Sequence, residues 1–208
     1  MGKTLVLGVD GLLIRNKHIQ QEYTRKCVNY VKTKLPNSKS AEDVNKVLHL
    51  VHGHTGRGLK LEYGIDTRDF NNQIYEGALM SLLIDQIYSQ EFQQNAEHIH
   101  QISRQGWDIK LITSAPSTWV LPVALAIGDN VGFVCEKDTL DISTFKKFSG
   151  NNLYLFVDHS LKNLGVVRKL KNWLPVHFTT EKNEYIAHVD SVEGIVQLAS
   201  KISNVLKN

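Results

Sequence analysis

A chain of 208 residues, 42% of them hydrophobic, can bury a full core, which excludes a disordered chain and suits one domain or one domain carrying an insertion. Its 24 lysines and arginines against 21 acidic residues leave a net charge of +3 that is scattered along the chain, which argues against nucleic acid as a partner. The two cysteines, Cys27 and Cys135, lie far apart without metal-type pairing, and no stretch approaches the ~18 apolar residues of a membrane span, so the expectation is a reduced, cytoplasmic chain with no membrane partner.

Thr4 to Val9 is the first of five short apolar runs that read as buried strands. From Asn16 to Tyr88 no strand is convincing. There Tyr23, Cys27, Tyr30, Val31 and Leu35 form one helical stripe stopping at Pro36, and Val44, Val47, Leu48 and Val51 form another. Phe92, Ala96, Ile99 and Ile102 mark an amphipathic helix ending at Gly106. The remaining strands are Ile109 to Thr113, Val131 to Cys135, Leu153 to Val157 and Pro175 to Phe178, separated by segments of helical spacing. A Ser191 cap then opens a last helix with Val192, Ile195, Val196, Ala199, Ile202 and Leu206 on one face. This alternation predicts an α/β fold with a parallel sheet covered on both faces, formed by residues 1–15 and 89–208, with an all-helical insertion at 16–88.

In such sheets the binding crevice lies beyond the carboxyl ends of the strands. Those ends are Gly8-Val9-Asp10, Thr113-Ser114, Cys135-Glu136-Lys137 and Asp158-His159. Carboxylates, hydroxyls, a lysine and a histidine would converge there, which is the set a magnesium-dependent phosphate site needs: carboxylates for the cation, hydroxyl and amide donors for phosphate oxygens, and a lysine to neutralise charge. Turn capping accounts for any one of these positions but less readily for all four.

At these positions the chain resembles the haloacid dehalogenase superfamily of phosphatases. Its first motif, a strand followed by Asp-x-Asp-Gly-Thr-Leu, is similar to "GVDGLL", with Gly8 in the first Asp position, Asp10 in the second and Leu12 in place of Thr. The second motif matches "LITSA", with Thr113 as the ligand-type hydroxyl and Ser114 beside it. The fourth matches "LFVDHSLKN", keeping Asp158, Ser160 and Asn163 but placing His159 in the second acidic slot. The stretch "GRGLKLEYGIDTRDFNNQIYEGAL", residues 56 to 79, is similar to the helical cap of the pyrimidine 5′-nucleotidase branch. The third motif is the weak one. "EKDTLDISTFKKF" offers Lys137, Lys146 and Lys147, whereas a register matching "DTL" and Phe145 puts Ser143 in the lysine slot.

The resemblance implies a Rossmann-like three-layer core with an all-α cap after the first strand, with Thr113, Ser114 and Asn163 on phosphate, Lys137 for motif three, and magnesium on Asp158 and the Asp10 backbone carbonyl. It also implies that the first Asp attacks phosphorus and the second protonates the leaving group. Gly8 can do neither attack nor ligation, and losing a nucleophile from a concerted unit costs on the order of 10⁴ to 10⁶ in rate. His159 cannot supply a carboxylate's charge, so magnesium is expected to bind weakly or not at all. A register shifted by two would make Asp10 the nucleophile but leave Leu12 in the acid position.

Other features carry less. His49, His52 and His54 lack a fourth ligand for zinc and read as surface or lid histidines, with Gly53 breaking the helix between them. "GHTGRG", residues 53 to 58, lacks the strand and the Lys-Ser/Thr ending of a P-loop and reads as a helix–helix turn. Trp107, Trp119 and Trp173 fall at element edges, where core packing or a partner contact explains them. Two functional classes follow: a non-catalytic binding or scaffold protein with a phosphate, nucleotide or protein partner, and a magnesium-dependent phosphatase or nucleotidase acting on small phosphomonoesters.

Overall fold

Six strands pair side by side in one parallel sheet in the computed structural model, which describes residues 2–37, 40–136, 141–148, 150–181 and 186–206. They are β1 (Lys3–Gly8), β2 (Trp107–Ile112), β3 (Gly132–Val134), β4 (Leu153–Asp158), β5 (Trp173–Phe178) and β6 (Ala187–Val189), in the order β3-β2-β1-β4-β5-β6. All five apolar runs are strands, and each neighbouring pair runs parallel. β6 is an addition to the expected set: it is a three-residue edge strand with Ala187 and His188 exposed, so no apolar run announced it.

Between β1 and β2 the chain is helical, with α1 (Lys17–Lys34), α2 (Ala41–His52), α3 (Thr55–Tyr63), α4 (Thr67–Ile74), α5 (Ala78–Ile87) and α6 (Gln90–Arg104). The later connections carry α7 (Ser117–Ile127), α8 (Ile142–Lys146) and α9 (Leu161–Val167), and α10 (Val192–Val205) follows β6. Side chains alternate across the strands, so the sheet builds two cores. Leu5, Leu7, Leu155 and Val157 join α6, α7 and α10 through Ile99, Ile102, Val123 and Ile195, in a cluster that continues into α1–α5. Val6, Tyr154 and Phe156 face the other way, onto Phe145 of α8 and Leu164 and Val167 of α9. The result is the three-layer, Rossmann-like α/β fold expected.

The capping chemistry holds at both well-patterned helices. Ser191 Oγ accepts from Gly194 N at 3.2 Å to open α10, and Gly106, at φ 82°, makes the turn between α6 and β2. Two local expectations fail. In α2 the buried positions are Ala41, Asn45 and Leu48, while Val47 and Val51 stay exposed. The helix is rolled toward α3, where Asn45 Oδ1 accepts the buried Thr55 hydroxyl at 2.9 Å. The "GHTGRG" segment is not merely a turn, because α3 begins within it: His54 caps the helix, and a Cβ on Gly58 would lie 2.8 Å from Leu48. Its glycines permit close helix packing.

Candidate functional site

β1 lies where the strand order reverses, with β2 on one side and β4 on the other, and the carboxyl ends of these three strands floor a crevice of about 1520 Å³ roofed by the inserted helices. Gly8, Asp10, Thr113, Ser114, Asp158 and Asn163 all line it, as the order of the motifs implied. Lys137 lies outside the described residues. Of its alternatives, Lys147 lines a separate groove beside Asp108 and Lys110, Lys146 is exposed at the end of α8, and Ser143 is engaged with Asp141 at the start of α8. None of the three lines the crevice.

The floor carries two hydrogen-bonded groups, one around Asp10 and one around Asp158. Asp10 Oδ1 accepts from the Trp119 indole at 3.0 Å and Oδ2 from the Thr113 hydroxyl at 3.2 Å, while Thr113 Oγ1 in turn accepts from Ala115 N at 3.0 Å. Asp158, almost wholly buried, accepts from Ser160 N at 2.7 Å on Oδ1 and from the Asn163 amide at 3.1 Å on Oδ2. Thr113 and Asn163, two of the three expected phosphate ligands, thus already donate to carboxylates. Trp119 is the functional neighbour that sequence reading missed. It is packed in the core as expected, but its indole also holds Asp10, a contact spanning 109 residues that no local pattern can announce.

The nucleophile position is filled as well as vacant. A Cβ on Gly8 would lie 2.7 Å from Asp158 Oδ2 and 3.1 Å from its carboxyl carbon, so Asp158 occupies the space a side chain would need. Next to it the His159 ring lies over the turn after β1, where a Cβ on Gly11 would meet its Nδ1 at 2.5 Å. Gly11, at φ 77°, is both conformationally and sterically required. His159 Nδ1 stands 3.5 Å from Asp158 Oδ1, and the His159 carbonyl meets His177 Nε2 at 3.0 Å.

Burial raises the Asp158 pKa above the usual carboxylate range, against the Ser160 and Asn163 hydrogen bonds and His159, which lower it. Burial also raises that of Asp10, with Trp119 and Thr113 opposing. Among the described residues neither carboxylate pairs with lysine or arginine, and no three His, Cys, Asp or Glu side chains are placed to hold a metal ion. The histidine run has other uses: His52 Nε2 meets Glu62 at 3.0 Å, and His54 Nδ1 accepts from Arg57 N at 3.4 Å.

Burial depresses the His54 pKa to about 4 from its ordinary 6.5. Above pH 6.5 both folded and unfolded chains hold it neutral. As pH falls from 6.5 to about 4 the unfolded chain takes up a proton that the folded one refuses, so stability drops across that window, by roughly 1–3 kcal/mol. His54→Asn, which keeps a capping acceptor and cannot titrate, should lose less stability than the parent between those pH values in urea unfolding. Parallel pH profiles would refute the assignment.

No protein-family model matches this chain, and no curated protein sequence does. Solved structures share its fold over nearly its whole length. A HAD phosphatase from Thermococcus onnurineus superposes with a TM-score of 0.58 at 12% identity, covering 94% of this chain and 97% of that one. A haloacid dehalogenase-like hydrolase from Burkholderia xenovorans gives 0.54 at 14%, covering 96% and 97%. A 2-haloacid dehalogenase from Pseudomonas syringae gives 0.53 at 12%, covering 97% and 100%. The architecture is therefore that of haloacid dehalogenase-like hydrolases. At these identities the likeness concerns the fold.

Proposed function

We propose that this chain is a degenerate member of the haloacid dehalogenase superfamily, of the pyrimidine 5′-nucleotidase-like branch, that has lost phosphatase chemistry and acts as a non-catalytic binding protein in the cytoplasm. Residues 16–88 are its helical cap. The observation that carries the reading is the position of Asp158, whose Oδ2 would stand 2.7 Å from any Cβ at Gly8. A crevice that merely lacked a nucleophile would keep room for one.

The remaining groups support the same reading. Phosphoryl transfer needs donors aimed at phosphate oxygens and a cation to gather charge. Thr113 and Asn163 donate instead to Asp10 and Asp158, and Ser160 N–H is likewise committed. Ser114 alone of the expected phosphate ligands has no such engagement in the network described. Magnesium fits this donor set poorly. It wants oxygen ligands in octahedral array, whereas Gly8 offers no side-chain oxygen, His159 replaces a carboxylate, and Asp158 is held down by two hydrogen bonds. Asp10 as a displaced nucleophile fares no better, since both of its oxygens accept hydrogen bonds and Leu12, where an acid would be needed, is fully buried.

The purified protein should hydrolyse neither p-nitrophenyl phosphate nor pyrimidine monophosphates above background with magnesium, and calorimetry should detect no tight magnesium binding. Turnover that vanishes in Asp10→Asn would overturn this reading and favour the Asp10 mechanism.

A further inference from the structure

The crevice is larger than a phosphomonoester needs. Pockets for small ligands measure about 300–1,000 Å³, and this one measures about 1520 Å³. Its floor repels anions, since Asp10 and Asp158 stand there without a lysine or arginine partner among the described residues. Its inner walls are largely apolar: Ile19 and Val28 of α1, Leu79 of α5 and Trp119 of α7 line it. Two polar atoms of the helical wall, His54 Nε2 and Asn71 Oδ1, are buried without a hydrogen-bond partner among the described residues, and the Tyr23 hydroxyl is buried beside Cys27 and Tyr75, so these groups add almost no polar surface to the lumen.

The mouth has the opposite character. Lys46, Lys60 and Lys162 line it with exposed side chains, beside Leu50, Leu61 and Leu161, which are 67%, 59% and 52% exposed. The Lys162 ammonium also donates to the Leu50 carbonyl, joining α9 to α2 across the opening. Glu42, Asp66 and Glu136 share this rim, but Arg57 and Arg68 stand there too, so it stays net basic. Leu50 is exposed on α2 together with Val47 and Val51, and none of the described residues covers it.

From this distribution we infer that the crevice binds an anionic amphiphile, with its apolar body inside against Ile19, Val28 and Leu79 and its phosphate or carboxylate at the mouth on Lys46, Lys60 and Lys162. The orientation reverses that of a phosphatase substrate, whose phosphate would lie on the floor. The inference rests on the non-catalytic reading, because only a floor without a held cation turns the anionic end outward. Charge attracts the ligand at the rim, and apolar burial at roughly 25 cal/mol per Å² supplies the affinity.

The test is calorimetry on the full chain with decyl phosphate below its micelle concentration, alongside decanol and inorganic phosphate. Decyl phosphate should bind at least tenfold more tightly than decanol, and inorganic phosphate should give no measurable heat. Lys46→Glu/Lys60→Glu, at exposed positions that leave the core untouched, should weaken decyl phosphate at least tenfold, and Leu50→Gln/Leu61→Gln should weaken it too. Equal binding of decanol, equal binding of inorganic phosphate, or indifference to the charge reversal would overturn the assignment. So would sedimentation with phosphatidic acid vesicles without binding of monomeric decyl phosphate, since the attraction would then belong to a membrane surface. Phosphate release from bound decyl phosphate would refute the reversed orientation, whereas hydrolysis of p-nitrophenyl phosphate with decyl phosphate binding intact would refute only the non-catalytic reading.

Discussion

Gly8→Asp, the substitution that would restore a nucleophile on paper, should leave the protein inactive and destabilise it by about 3 kcal/mol, which lowers the melting temperature by roughly 6–12 °C. The first cause is steric. A Cβ at residue 8 would meet Asp158 Oδ2 at 2.7 Å, and Asp158 cannot simply swing away, because Ser160 N–H and the Asn163 amide hold its two oxygens. The second cause is electrostatic: a new carboxyl beside one whose pKa burial already raises must share protons with it. The new carboxyl's folded-state pKa would stand above its unfolded value, so its stability is retained at low pH and lost as pH rises through the folded value. The deficit relative to the parent should therefore be larger at neutral pH than in acid. Gly8→Asp/Asp158→Ser, which clears the space and one charge, should recover more than half of the loss in urea unfolding. If Gly8→Asp alone folds at parental stability and hydrolyses p-nitrophenyl phosphate, the floor is adaptable and the loss of catalysis reduces to one residue.

That contrast shows what the sequence can and cannot disclose about such a site. The strands were legible because a parallel sheet buried on both faces needs continuous apolar runs, and Thr4 to Val9 or Leu153 to Val157 has no competing use. α6 and α10 were legible because their apolar faces and caps agree. α2 was misjudged because Val47 and Val51 keep perfect helical spacing and still face out, the helix being rolled by the buried Asn45–Thr55 pair, in which polar residues take core positions. In the site, Gly8 could be read as a missing nucleophile from its place in the motif. Nothing in the order of residues says that a neighbouring carboxyl fills the gap, or that a tryptophan 109 residues away pins Asp10. Both depend on side-chain directions that only the assembled sheet creates.

Trp119→Ala should be among the more costly single substitutions in the chain, at about 4 kcal/mol, because it combines a large cavity with the loss of a donor. Trp119 is fully buried in the first core, its ring lies 5.2 Å from that of Tyr75 between α4 and α5, and its indole N–H reaches Asp10 just beyond β1. It therefore ties three parts of the chain together: α7, the inserted helices and the crevice floor. Trp119→Phe keeps most of the volume and removes the donor, so it should cost about 1–2 kcal/mol, the price of leaving Asp10 Oδ1 short of a partner. Asp10→Asn separates the two contributions. An amide can still accept from the indole and donate to Thr113 Oγ1, while shedding a charge whose pKa burial raises. Asp10→Asn should thus be neutral or stabilising at neutral pH, and its advantage should fade as pH falls toward the carboxylate range and the parent Asp10 takes up its own proton. In the Asp10→Asn background Trp119→Phe should cost less than in the parent, since a neutral acceptor left unpaired is cheaper than a charged one. Asp10→Asn that costs several kcal/mol, or equal Trp119→Phe penalties in both backgrounds, would mean the indole–carboxylate bond is not what holds the floor closed.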